Sequence, residues 1–305
     1  MAPSKSTTAK SIPFDPKSVR CVGIVAALHK RRVATAVREV IEWLSSHGLS
    51  VLVPEDQAAA LSLPELAVDR SQLAESVDLL LAMGGDGTLL ATARLGAPCG
   101  KTILGINLGG FGFLAAIPRA GMLDALAEVW AGRLRVEDRL MLAARVFRND
   151  SEIASFIALN DIVVGKGAFS RLFRLKTSIS GEPISDFPAD GMIVATPTGS
   201  TGYSLSAGGP VIDPEVRVFI VTPICAHALA ARTLVVPSTH VVEMLLPDPR
   251  GEEVYLTADG QEGVSLRAGD RVEIRQAPFS ARLIRLEDAS FYSRLRAKLG
   301  WGASR

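Results

Sequence analysis

Cysteine is scarce in this sequence: Cys21, Cys99 and Cys225 are the three among 305 residues. An odd number, spaced so widely, makes neither a disulfide framework nor a zinc spacing and suits a reducing cytoplasm. An excess of one charge is also missing. Lys and Arg together number 33 against 32 Asp and Glu, for a net charge of +1. That balance gives no reason to expect nucleic acid or a membrane surface as partner. No apolar run approaches the roughly 20 residues of a membrane span. Internal repeats are absent, and low complexity is confined to the start. Met1 to Pro16 is rich in Ser, Thr, Lys and Pro without the apolar core of a secretory signal. Residues 1–18 are therefore expected to be a disordered leader. What remains is globular in composition, 48% hydrophobic and 21% charged, and long enough for two cores.

Periodicity divides the chain in two. Residues 20–28 and Leu49 to Val53 read as short buried strands. Between them, Val33, Val37, Val40, Ile41 and Leu44 recur at helical spacing over 33–47, and Gly48 stops that helix. Leu79 to Met83 and Lys101 to Asn107 are two more strands. The first runs into Gly84-Gly85-Asp86-Gly87-Thr88 and an apolar helix from about Thr88 to Leu95. Met122 to Ala131 is a helix closed by Gly132. Strands alternating with helices predict an α/β domain with a parallel, Rossmann-like sheet over 19–135. After about Arg135 the segments become strand-like and turn-separated, which predicts a mainly β domain over 136–278. Ala289 to Trp301 returns to helical spacing, within a C-terminal segment, 279–305, expected to pack back on the first domain.

Four motifs carry chemistry. The first, Gly84 to Thr88, sits between a buried strand and a helix. Its glycines let backbone N–H groups approach a phosphate, and the helix N-terminus favours an anion. Asp86 would repel that anion, so it either holds a cation or takes a proton from an attacking hydroxyl. Taken alone, the motif also reads as a Gly-rich turn whose Asp accepts backbone donors. The second, Asn107-Leu108-Gly109-Gly110-Phe111-Gly112-Phe113-Leu114, lies on the same sheet edge. Asn107 offers donor and acceptor, and Phe113 can cover a ring. The third, Asn160-Asp161, suits a pair of ribose hydroxyls, yet also fits a strand-entry turn. The fourth runs from Asp190 through Thr196-Pro197-Thr198-Gly199-Ser200-Thr201-Gly202-Tyr203 to Pro210. Thr198 or Thr201 can bond a purine edge and Tyr203 can stack on a ring, whereas a plain linker rarely carries an apolar strand and an aromatic.

These motifs, with HALAARTLVVP and Asp259-Gly260-Gln261, resemble the signatures of the NAD kinase family in that family's order, from about Val22 to Trp301. The fourth motif is the most specific, since GGDG is shared with diacylglycerol, sphingosine and 6-phosphofructo-kinases. The resemblance implies transfer of a phosphoryl group from ATP, or polyphosphate, to the 2′-hydroxyl of NAD's adenosine ribose. It implies Asp86 as the catalytic base. Gly87, Phe113, Asn160, Asp161, Asp190, Thr198, Thr201, Tyr203 and Gln261 would line the NAD site. Gly84, Gly85, Thr88 and Asn107 would meet the phosphate donor, joined by the basic run Lys30, Arg31 and Arg32 on the same sheet edge. Mg²⁺ or another divalent cation would come with ATP, without direct protein ligands.

The resemblance also implies a homo-oligomer, expected as a homodimer or homotetramer, and the composition points to a cytoplasmic protein with no nucleic-acid or membrane partner. Three positions depart from the family pattern: Asp161 stands where Glu is usual, Gly202 where Ala is usual, and Cys225-Ala226-His227 where Cys-Pro-His is usual. Two other readings compete. A lipid or sugar kinase sharing GGDGT would leave the fourth motif unexplained. A non-catalytic dinucleotide sensor would be favoured only if Asp86 were replaced.

Overall fold

The computed structural model describes residues 14–28, 31–109, 112–115, 117–167, 173–186, 188–226, 231–249, 251–286 and 290–300, with the side chains of Arg31, Arg32 and Ser185 excluded. The first half alternates strand and helix: β1 Cys21–Ala26, α1 Arg31–Ser46, β2 Ser50–Pro54, α2 Glu55–Leu61, β3 Ala67–Val68, α3 Arg70–Ser76, β4 Leu79–Gly84, α4 Asp86–Gly96, β5 Thr102–Asn107, β6 Ile117–Pro118 and α5 Met122–Trp130. β2, β1, β4 and β5 pair side by side in parallel. β4 and β5 are buried along their whole length, which is why they read as unbroken apolar runs. One face is covered by α1 and α5 through Val37, Val40, Leu44, Leu126 and Val129. The other is covered by α3 and α4 through Leu73, Leu89, Leu90 and Ala93.

The second half is antiparallel. Its strands are β7 Arg135–Arg148, β8 Ser151–Ala158, β9 Asp161–Lys166, β10 Phe173–Arg174, β11 Lys176–Ile179, β12 Glu182–Ser185, β13 Pro188–Ala189, β14 Gly191–Ala195, β15 Val218–Ile224, β16 Leu234–Pro237, β17 Val242–Leu245, β18 Val254–Ala258, β19 Glu262–Leu266 and β20 Arg271–Arg285. The short helix α6, Tyr203–Ser206, follows β14, and α7, Phe291–Leu299, follows β20. A six-stranded sheet runs β16-β15-β14-β9-β18-β19. Its inner face packs Ile162, Val164, Val194 and Phe219 against Leu140, Leu142, Met244 and Ile274 of β7, β17 and β20.

The α/β and mainly β halves match the expected fold class, with one addition. The long strand β20 pairs with β7 and β17, then at Arg282 and Leu283 joins β5 in parallel. One 12-stranded sheet therefore runs through both halves. The strand's irregular register between Gln276 and Ser280 lets it turn from one to the other. The helices α2 and α3 have seven residues each, too short to show a period in the sequence. The expected leader overlaps a 3-10 turn, Pro16–Ser18, capped by Asp15, with Pro16 buried. Residues 1–13 lie outside the described residues. Trp43 and Trp130 meet edge-on at 5.6 Å where α1 passes α5, as helix packing residues should.

The parallel register puts the carboxyl ends of β1, β4 and β5 on one edge, with Ala26 opposite Met83 and Gly84 opposite Asn107. That edge is where open α/β sheets bind ligands. The fourth motif reaches it after β14 by a 3-10 turn, Thr198–Thr201. This turn lies directly on Asn160: a Cβ added at Gly199 would stand 2.5 Å from that residue's carbonyl carbon and 2.7 Å from its Cα. Backbone cannot yield as a side-chain end does. Gly199→Ala is expected to destabilise the fold by about 1–3 kcal/mol, as overpacking does. Urea unfolding measures it, and an unchanged midpoint would mean the turn stands off from Asn160.

Candidate active site

Two glycine turns face each other at the sheet edge. After β4, Gly85 caps α4 in an extended conformation and Asp86 opens the helix. At Gly84 a Cβ would stand 2.9 Å from the Thr88 Cβ, whereas Gly85 faces open space. Backbone is therefore approachable at Gly85. The Asp86 carboxylate points into the facing turn. Oδ2 accepts the N–H of Phe113 at 2.9 Å, and Oδ1 accepts those of Leu114 at 3.0 Å and Ala115 at 3.4 Å. Gly112 permits this approach, since a Cβ there would stand 2.8 Å from the Asp86 Cγ. A carboxylate offers about four lone-pair positions. With those bonds made, the remaining one lies on Oδ2.

The Asn160–Asp161 pair enters β9 and is held from behind by Asp259. Asp259 Oδ1 accepts the N–H of Asn160 at 2.8 Å and of Asp161 at 3.3 Å, and Oδ2 accepts that of Leu159 at 3.2 Å. Asp259 adopts a left-handed φ of 51°, and its N–H donates to the Asp161 carbonyl at 2.9 Å. Its charge is matched by Arg94 of α4: Nη1 to Oδ2 is 2.9 Å, with side chains 8% and 0% exposed. Arg94 Nη2 also donates to Gln261 Oε1 at 2.8 Å, while Gln261 Nε2 donates to the Gly87 carbonyl at 2.9 Å. The helix that starts at Asp86 thus fixes the turn that fixes the pair.

The pair opens on a cavity. A pocket of about 330 Å³ is lined by Asn160, Asp161, Val163, Tyr203, Thr257, Asp259 and Gly260. Asn160 Oδ1 is buried without a hydrogen-bond partner, an acceptor waiting for a donor. A neighbouring pocket of about 410 Å³ shares Val163, Tyr203 and Thr257 and extends to Lys166, Asp190 and Tyr255. Tyr203, 47% exposed, lies between the two with its ring free to cover a planar group. The Asp190 carboxylate pairs with Lys166 at 2.8 Å.

Other expected residues take different places. Thr198 is 5% exposed and its hydroxyl accepts from Arg139 at 3.3 Å, so it supports the turn from inside. Thr201, half-buried, donates to the Thr198 carbonyl. Asn107 is buried and its Oδ1 accepts the Gly109 N–H at 3.0 Å. The Phe113 ring lies 5.4 Å below Lys298 Nζ of α7. Lys30 and His227 lie outside the described residues, as do the side chains of Arg31 and Arg32. Sequence reasoning missed Arg94, Lys166 and Arg139. Arg94 carried a signal, a charge at the apolar spacing of Leu90 and Ala93 on the buried side of α4. Among the described residues no three His, Cys, Asp or Glu side chains gather to hold a metal ion.

Burial, and after it the charge on Asp259, push the Asp161 carboxyl from an ordinary 3.8 up to about 7. Between about pH 4 and 7 the folded protein keeps a proton that the unfolded chain has released, so stability falls as pH rises through that window. Above the folded value the loss is complete. Asp161→Asn removes the ionisation. It is expected to raise stability near pH 5 and to raise it further near pH 8, where the penalty is complete. Urea midpoints at the two pH values read this, and an equal effect at both would contradict the buried-pair geometry.

Known proteins are similar over most of this chain. Residues 22–134 match the family model of the ATP-NAD kinase N-terminal domain, and residues 159–286 that of the ATP-NAD kinase C-terminal domain. The chain is 48% identical over 284 residues to the NAD kinase of Moorella thermoacetica, covering 93% of this chain and 90% of that one. It is 43% identical over 285 residues to the NAD kinase of Syntrophotalea carbinolica, covering 92% and 98%. Yeast NADH kinase complexed with NADH superposes with a TM-score of 0.86 at 27% identity, covering 94% of this chain and 89% of that one. An NAD kinase from Archaeoglobus fulgidus in complex with ATP shares the fold, with a TM-score of 0.72 at 24% identity over 92% and 98%. Because both halves that build the cleft are matched, in order and over most of their length, the chain belongs to the NAD kinase family.

Proposed function

We propose that the protein transfers the γ-phosphoryl group of ATP to the 2′-hydroxyl of the adenosine ribose of NAD, with Asp86 as general base. The observation that carries this reading is the unpartnered Asn160 Oδ1 beside Asp161, in a pocket whose back wall is tied to the Asp86 helix. An amide acceptor and a carboxyl side by side suit the two ribose hydroxyls. Tyr203 covers the adenine, and Asp190 and Tyr255 line the space beyond. The N–H of Thr88 already donates to the Gly85 carbonyl at 3.1 Å, which leaves Gly85 and Gly87 as the backbone that meets the donor phosphates. The basic run Lys30 to Arg32 attracts them to the edge.

Phosphoryl transfer depends mainly on positioning and charge neutralisation. The backbone donors on Asp86 use most of its lone pairs, so its carboxylate does not fit a metal-ligand role. Mg²⁺ enters with the triphosphate as part of the substrate and neutralises its charge. The free Oδ2 position takes the proton as the hydroxyl attacks. The protein works in the cytoplasm as a homodimer or homotetramer. Supporting the oligomer, edge strand β16 exposes Leu234 and Val235, apolar surface that a second copy would cover. The working units are 19–135, 136–278 and the C-terminal segment 279–305.

Incubation with NAD, ATP and Mg²⁺ followed by phosphorus NMR tests the reaction. Phosphate at the adenosine 2′ position alone is expected; a 3′-phosphate, or a phosphorylated lipid or hexose with NAD untouched, would sink the reading. Asp86→Asn keeps the size and removes the base. Turnover is expected to fall by about 10²–10⁴-fold with little change in NAD binding. A variant that turns over at the normal rate would remove Asp86 from the chemistry.

A further inference from the structure

Behind the turn that holds Asp86, three arginines, Arg135, Arg139 and Arg285, pair with one carboxylate, Glu137, and a fourth, Arg294, lies beside them. Arg285 ends β20 at 1% exposure and Arg139 lies on β7 at 4%; Arg294 reaches in from α7, half-buried. Glu137 pairs with Arg139, with Arg285 at 3.2 Å and with Arg135 at 2.9 Å. Burial opposes its charge, but Arg139 and Arg285 outweigh burial and hold its carboxyl at about 2. Burial, with Arg139 and Arg294 alongside, draws Arg285 down to about 9, still a cation at neutral pH. Arg285 Nη2 and Arg294 Nε are buried without hydrogen-bond partners. A guanidinium so deeply buried and incompletely bonded is costly, and an apolar side chain of similar size would serve stability as well.

What Arg285 does with its charge is specific. Nη1 donates to the Leu114 carbonyl. The N–H of that same peptide unit, on Ala115, points at Asp86 Oδ1 at 3.4 Å, and the flanking N–H groups of Leu114 and Phe113 complete the hold on the carboxylate. A cation on the carbonyl polarises the peptide and strengthens its N–H as a donor. It also pins residues 112–115, which among the described residues belong to no helix or strand. Through Glu137 and Arg139 the same cluster reaches the Thr198 hydroxyl at 3.3 Å, so both turns of the cleft rest on it.

We propose that Arg285 is a positioning residue for Asp86, acting through the Leu114 carbonyl to fix the backbone donors that aim the carboxylate. This rests on Asp86 being the base. Arg285→Gln is expected to lower kcat by about 10–100-fold, the cost of a displacement on the order of 1 Å, while KM for NAD and for ATP moves less than about threefold. Arg285→Lys keeps the charge and one donor and is expected to recover part of the loss. The decisive measurement is the double variant. With Asp86→Asn already present, Arg285→Gln should cost nothing further, because the group it aims is gone.

A loss that multiplies undiminished onto that of Asp86→Asn would overturn the proposal, as would a rise in KM with kcat intact. Full activity in Asp86→Asn alone would instead refute the base. A deficit in Arg285→Gln beside it would then place the arginine's action elsewhere. If Arg285→Gln yields no soluble protein, Arg285→Lys is carried through the same cycle, and its deficit must likewise vanish beside Asp86→Asn.

Discussion

The ion pair between Arg94 and Asp259 is the constraint on which the cleft depends. It joins a helix of the parallel half to a turn of the antiparallel half, with both side chains almost wholly removed from water. Such a pair is favourable only when the remaining hydrogen-bonding positions are also filled. Here the acceptor side is complete: Asp259 takes the N–H groups of Leu159, Asn160 and Asp161, while the other two nitrogens of Arg94 donate to Gln261 and Glu262. Removing one partner would leave the other charged and buried, typically a loss of about 3–5 kcal/mol. It would also release both the Asn160–Asp161 pair and the turn against Gly87.

Three carboxylates near the cleft are thus given different work by their neighbours. Asp259 meets a guanidinium and backbone donors and ties the turn to α4. Asp86 meets backbone donors alone among the described residues and keeps one lone-pair position. Asp161 is buried beside Asp259 with no cation paired to it among the described residues, and its proton is held up to about 7. The residue types are identical, so the difference lies in what surrounds each: a guanidinium and backbone donors at Asp259, backbone donors at Asp86, and burial beside an anion at Asp161. In the proposed reaction this suits the roles: a ribose hydroxyl meets a carboxyl whose charge is released near neutrality, while the base next to the phosphates keeps its own hold on the backbone.

The elements that were legible in the sequence are those with strong local signals. Unbroken apolar runs marked β1, β4 and β5. Helical spacing marked α1 and α5, and the glycine turns marked the edge. Helix α4 begins at Asp86, two residues before its apolar pattern, because capping by Gly85 rather than hydrophobicity sets its start. Long-range contacts were not legible. Nothing local announces that β20 would leave the β half to pair with β5, or that Arg94 would meet a residue 165 positions away. Thr198 shows the same limit. Its hydroxyl suits a purine as well as a guanidinium, and nothing local announces that Arg139, 59 positions away, lies behind the turn.

Glycine placement explains how these contacts act together. Gly112 lets the 113–115 backbone close on Asp86, and Gly199 lets the fourth motif lie on the backbone of Asn160. Each removes the side chain that would hold two turns apart. The result is a site whose geometry is set by backbone groups, which have fewer ways to relax than side chains. Rigidity of this kind matters most for a reaction in which neighbouring hydroxyls have nearly the same reactivity. Discrimination between them must come from position, and a misplacement on the order of 1 Å costs about 100-fold in rate. Asp86 and the Asn160–Asp161 pair sit on different halves of the chain, yet both are referred to α4. The pair is tied through Arg94, roughly 12 Å along the helix axis from Asp86 at 1.5 Å per residue. A single helix therefore sets the separation between Asp86 and the Asn160–Asp161 pair, which in the proposed reaction take the proton and hold the ribose.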